Sequence, residues 1–346
     1  MRAISAADAV SPAIQRTREF LFRPFNWGTY LKLGLVAIVT EGFGSNLRSS
    51  SHGGESPGHG SMVHSPFNFT PEMIAVIAGA VLLAIVVSIV VFYLVTRLRF
   101  AFFHCLIHNT KEIGPGWRLY ETQATRFFWL NLVVGFCFLL AVVLIALPFA
   151  AGFWRLIHDT PPGGSPDWGM LLSLVLPLIP IILLVVLVGF VIDMALRDWM
   201  LPHFALDNAT AGEAWAQVWA QIIAEKRQFI VYTLLRVALP TIAMIAMFIV
   251  LIIPGLMLAG AMAAIVYGIH SAFAGSTGAA WMVGILLQVF FGVVAFGIAV
   301  LVSICLGGPV STAIREYALM FYGGRYQALG DTLYPPPPRL NDPQVG

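Results

Sequence analysis

Apolar residues run along this chain in long unbroken stretches separated by short polar joints. Stretches over about 73–96, 127–153, 170–196, 229–253 and 279–306 are each long enough to cross a hydrocarbon core, which takes about 20 helical residues at 1.5 Å rise. A weaker stretch covers 27–43, where Lys32 can snorkel toward headgroups, and a short one covers 255–271. The pattern predicts an all-α fold, a polytopic transmembrane helical bundle of six spans, or seven if residues 255–271 cross on their own. Pro177 and Pro180 predict a bend in the fourth span and Pro240 one in the fifth; Pro254-Gly255 should end the fifth and Gly307-Gly308-Pro309 the last.

The joints carry the local signals. In residues 193–229, Thr210 and Glu213 stand at capping-box spacing, so a helix should start there. Beyond it Trp215, Val218, Trp219, Ile222 and Ile223 recur at helical spacing, with Glu213, Gln217, Gln221 and Glu225 on the other side. This is an interfacial amphipathic helix whose two indoles suit the headgroup layer. An upstream joint repeats it: FHCLIHNTKEIGPGW aligns with PHFALDNATAGEAW, which sets His104 opposite His203, Asn109 near Asn208 and Trp117 opposite Trp215. The offset matches one helix–joint–helix unit, a parallel internal duplication. Residues 1–26 form a cytoplasmic or interfacial segment without a cleavable leader, residues 27–309 the membrane domain, and residues 310–346 an interfacial helix and a proline-rich tail. Residues 44–71, rich in Ser, Gly, His and Pro, predict a disordered loop.

Composition narrows the class. With 59% hydrophobic and 10% charged residues the chain cannot solvate itself as a soluble fold. A net charge of +2 with no run of like charge points away from nucleic acid, and three scattered cysteines support neither a disulfide framework nor a zinc ribbon. With six spans and both ends cytoplasmic, 17 of the 19 Lys and Arg fall inside, leaving Arg48 and Arg155 outside; a seventh span gives 14 inside.

Candidate chemistry is sparse. Asp193 and Arg236 each lie roughly 8–11 Å inside a span at 1.5 Å per residue, on the same side, and are expected to pair. His104 and His108 are one turn apart but lack a third ligand, so they, His203, Trp117, Trp215 and Trp219 are read as interfacial groups, with no metal and no cofactor. His52, His59 and His64, the elbow-like Gly54-Glu55-Ser56-Pro57-Gly58 and the Asn68-Phe69-Thr70 sequon lack the context their chemistry needs.

The motifs SPAIQRTREFLFRPFNWGTYLKLGLVAI, RLRFAFFHCLIHNTKEIGPGWRLYE, GEAWAQVW and REYALMFYGGRYQALGD resemble an uncharacterised family of bacterial polytopic membrane proteins. That family is distantly similar to the membrane domain attached to some glycerophosphodiester phosphodiesterases. The resemblance spans residues 4–331, departs at 254–280 where the last spans look lengthened, and implies a bacterial inner-membrane location without a catalytic motif. The expected function is a non-enzymatic accessory or lipid- and envelope-handling protein whose partners are the bilayer and a lipid or membrane protein. A transporter or channel built around Asp193 and Arg236 is the alternative, and an intramembrane hydrolase a third reading.

Overall fold

A computed structural model describes residues 4–46, 71–159, 168–275 and 278–334, and every regular element among them is helical. In chain order these are α1 (Val10–Phe22), α2 (Trp27–Asn46), α3 (Pro71–Ile107), α4 (Ile113–Leu119), α5 (Glu121–Asp159), α6 (Trp168–Met194), a π-helical turn (Ala195–Met200), α7 (Leu201–Leu206), α8 (Ala211–Ala224), α9 (Lys226–Ala272), α10 (Ala279–Gly323) and α11 (Gln327–Leu333). Residues 47–70, which hold most of the loop expected at 44–71 with its three motifs, and the proline-rich tail from residue 335 lie outside the described residues.

Five helices among the described residues are long and apolar enough to cross a membrane, not six: α3, α5, α6 with its π-helical and α7 continuation, α9 and α10. The weak first span is the one that falls short. α2 has 20 residues and carries Lys32 and Glu41, so no part of it is both long and apolar enough. The candidate seventh span also dissolves, because residues 255–271 belong to α9, which runs unbroken through Pro240 and Pro254 for 47 residues. Each proline deletes one donor, but apolar flanks offer the backbone no partner outside the helix, so the chain stays helical on both sides. For the same reason α10 continues through Gly307-Gly308-Pro309 to Gly323. There the glycines serve packing: a Cβ on Gly308 would stand 2.7 Å from Gly34 Cα, so α2 and α10 touch backbone to backbone.

The chain divides into two compact units, one holding α1, α2, the last turn of α3, α9, α10 and α11, the other the rest of α3 and α4 through α8. In the first unit the core gathers at one end of the long helices, where Phe20 and Leu21 of α1, Leu33 of α2, Phe229 and Tyr232 of α9, Tyr317 and Phe321 of α10 and Leu329 of α11 are buried. Tyr232 stacks on Tyr317 and Phe321 at ring separations of 5.2 and 4.4 Å. The second unit repeats the plan, burying Phe100, Phe102 and Phe103 of α3, Phe127 of α5, Leu201 and Phe204 of α7, and Ala214 and Val218 of α8. In every long helix the most apolar stretch is buried nowhere against protein. The outward residues there, such as Leu83, Leu183, Val250 and Phe296, are large and aliphatic or aromatic, which is how a lipid-facing surface reads.

Candidate functional site

Both joints are built from the same local chemistry. In the second unit the Thr210 amide donates to Glu213 Oε2 at 2.9 Å, and the Glu213 amide returns a bond to Thr210 Oγ1 at 3.4 Å. This is the reciprocal box that starts α8. The bond from the Thr210 main chain, and after it the Thr210 side chain, hold the exposed Glu213 carboxyl below its ordinary range. Ahead of it Asn208 sits at φ 51°, and in the other joint Asn109 sits at φ 53°, the only positive-φ residues other than glycine among those described. Asparagine tolerates this left-handed conformation, which lets the chain leave a helix and turn into the next. Both lie five residues after a histidine, His104 or His203, so the aligned joints share backbone geometry as well as residue types.

Upstream the copies differ by one residue, since Arg99 precedes His104 by five positions and Arg197 precedes His203 by six. The π-helical turn Ala195–Met200 absorbs the difference. One extra residue wound into a helix widens it locally while leaving both flanks in phase. All six residues of the turn are buried. A third occurrence closes α10: Thr312-Ala313-Ile314-Arg315 matches Thr96-Arg97-Leu98-Arg99 and Met194-Ala195-Leu196-Arg197. Arg99, Arg197 and Arg315 are all buried, and Thr96 and Thr312 each bond back to the carbonyl four residues earlier, at 2.8 and 2.9 Å.

Asp193 and Arg236, which the sequence suggests as a pair, each hold an ion pair inside their own unit. Asp193 takes Arg197 Nε at 2.8 Å, one turn along the same helix, and its own side chain is 46% exposed. Arg236 Nη2 donates to Glu41 Oε2 of α2 at 2.7 Å, with both side chains largely covered. Each of the two has a partner within its own unit. The His104 and His108 rings lie against each other with centroids 4.5 Å apart and planes tilted by 55°. His203 is fully buried with Nδ1 3.8 Å from Asp207 Oδ2, so it lies in the protein core rather than at a wet interface. No group of three or more metal-ligating side chains is assembled among the described residues.

Trp215 and Trp219 stack at 5.8 Å and stay half exposed on α8. Trp117 is different: the Arg97 guanidinium lies over its ring at 4.7 Å, donates to its carbonyl at 3.1 Å and stands 3.4 Å from Glu121. It is packed from one side by a cation, not simply presented to headgroups.

Besides Arg236–Glu41, the first unit holds two further ion pairs that composition and spacing did not suggest. Arg16 of α1 sets Nε 3.3 Å from Oε2 of the fully buried Glu316, and its Nη2 donates to the Leu106 carbonyl at 2.6 Å and the Ile107 carbonyl at 3.4 Å, the end of α3. Arg325 grips Glu225 with Nε and Nη2 at 2.9 and 2.7 Å and donates through Nη1 to the Ile4 and Phe321 carbonyls. Tyr334 sits beside the first cluster, donating to Met320 Sδ at 2.7 Å, and burial pushes its phenol up against the opposing pull of Arg16. Arg16 and Arg325 thus bind carbonyls near the ends of α3 and α10.

Over residues 4–332 the sequence matches a family model described only as a Family of unknown function (DUF7544). No curated protein and no solved structure matches.

Proposed function

The chain belongs to this family of unknown function, and from that premise we propose that it is a non-catalytic protein of the bacterial inner membrane, with both termini cytoplasmic, that binds lipid or a membrane-protein partner along its helices. One observation carries the reading: in five long helices the most apolar stretch holds no buried residue, so most of its large side chains stand open. Burying such surface in lipid or against a partner's helix is its only favourable outcome. The two internal ends, where aromatic rings and ion pairs are packed, supply the rigid mounts from which these helices project.

A transport path is the competing reading, and the covered Glu41–Arg236 pair is the observation in its favour. One experiment separates them. The protein is extracted from native membranes into a polymer nanodisc and analysed by native mass spectrometry, and in parallel reconstituted into vesicles for ion and solute flux. Retention of lipid or a partner in stoichiometric amounts, with no flux above empty vesicles, is the expected result. A bare protein with flux that disappears in Arg236→Gln would sink the proposal.

A further inference from the structure

The corner between α1 and α2 gathers features that lipid-facing packing alone does not require. Along α1, Ala13, Thr17, Phe20 and Leu21 are buried, so the opposite stripe Ile14, Arg18 and Phe22 points outward. At the corner four rings form one cluster: Phe25 lies 6.1 Å from Phe22, 5.1 Å from Trp27 and 5.7 Å from Tyr30, and Phe22 lies 5.5 Å from Tyr30. Phe22, Phe25 and Trp27 remain open, Trp27 at 63%. Exposed cations flank this corner along the chain, Arg18 and Arg23 on the α1 side and Lys32 on α2. Lys111 pins the corner by donating to the Arg23 and Pro24 carbonyls at 3.2 and 2.7 Å. The nearby carboxylate on α1, Glu19, accepts from Gln15 at 3.1 Å.

Apolar rings held open in a corner flanked by three cations suit an occupant that is both greasy and anionic. We propose that this corner is a binding site for the headgroup and upper acyl region of an anionic phospholipid. The rings would lie against the glycerol and first methylenes, while Arg18, Arg23 and Lys32 meet the phosphate and any further headgroup charge. The corner is where the chain passes from the surface helix into α2, and such aromatic belts stand at headgroup depth. This rests on the membrane placement proposed above and adds the lipid class and its contacts.

The test uses full-length protein in nanodiscs of phosphatidylcholine doped with phosphatidylglycerol, reading retained phosphatidylglycerol by native mass spectrometry. Arg18→Gln/Arg23→Gln/Lys32→Gln is expected to lower apparent affinity roughly a hundredfold, at about fivefold per cation. Lys226→Gln/Arg227→Gln, which removes two exposed cations elsewhere, is expected to leave it near wild type. Wild-type retention in the triple variant, or an equal loss in the double variant, overturns the site while leaving lipid binding along the helices intact. If the triple variant does not fold, a photo-crosslinking amino acid replacing Phe25 decides the question. An adduct with phosphatidylglycerol is expected, and an adduct with protein or with phosphatidylcholine alone overturns it.

Discussion

Arg16 joins three elements with one guanidinium: it belongs to α1, binds the last carbonyls of α3 and stands against Glu316 of α10. Glu316 is completely buried, and neither of its oxygens has a well-aimed hydrogen-bond donor, so Arg16 carries most of its compensation. Arg16→Ala should therefore cost about 3–5 kcal/mol, the range for leaving one charge of a buried pair alone. Arg16→Met/Glu316→Leu should regain most of that loss, because an apolar pair of similar volume carries no desolvation penalty. Thermal unfolding in detergent reads both, and a double variant as weak as the single one would refute the assignment. The sequence marks Arg16 only as one more cytoplasmic cation. Counting charges assigns a side of the membrane, whereas the partner of Glu316 lies 300 residues away, beyond the reach of any local spacing.

At the scale of elements, what was legible was local. The Thr210–Glu213 box, the stacked Trp215 and Trp219, and the paired joints with Asn109 and Asn208 all follow from short-range spacing, and all are present. For Asp193 and Arg236, depth along two helices says nothing about azimuth, and Arg197 at i+4 from Asp193 was a nearer partner in plain view. Glu41 was hidden inside a stretch read as a simple span. The π-helical turn is a one-residue length difference between copies, visible only once Arg99 and Arg197 are aligned as well as the histidines. That origin makes a prediction. Deleting Met200 should convert the turn to ordinary α-helix, restore the five-residue spacing seen in α3 and keep most of the yield of monodisperse protein. Deleting Phe204 from α7 has no spare residue to absorb it and rotates the downstream chain by about 100°, so that protein should aggregate. Size-exclusion profiles of fluorescent fusions compare the two, and equal profiles would rule out the insertion account.

For the whole molecule the lengths of the apolar helices matter most. In the second unit, Met73–Val95 of α3 and Leu171–Ile192 of α6 span about 35 and 33 Å at 1.5 Å per residue, close to a hydrocarbon core of about 30 Å. The first unit departs from this. Val237–Ala272 of α9 and Ala279–Ile314 of α10 each cover about 54 Å, and no Asp, Glu, Lys or Arg lies between Arg236 and Arg315. The lengthening at 254–280 was readable as excess apolar chain, but its form, one continuous hairpin arm and not an added span, depends on helix continuity through Pro254. Tilt alone cannot hide the excess: fitting 54 Å into 30 Å takes roughly 56°, beyond the range of about 0–40° seen for membrane helices. The surrounding bilayer must thicken or the arms must bend, at a fraction of a kcal/mol per Å, so an overhang of about 24 Å costs on the order of several kcal/mol. Stability should accordingly rise when the protein is moved from short-chain to long-chain phosphatidylcholine nanodiscs. Removing two helical turns from each arm, within 257–271 and 280–294, should abolish that rise without unfolding the aromatic core around Tyr232 and Tyr317. A wild-type melting temperature indifferent to chain length would mean that the distal arms already have a protein partner covering them.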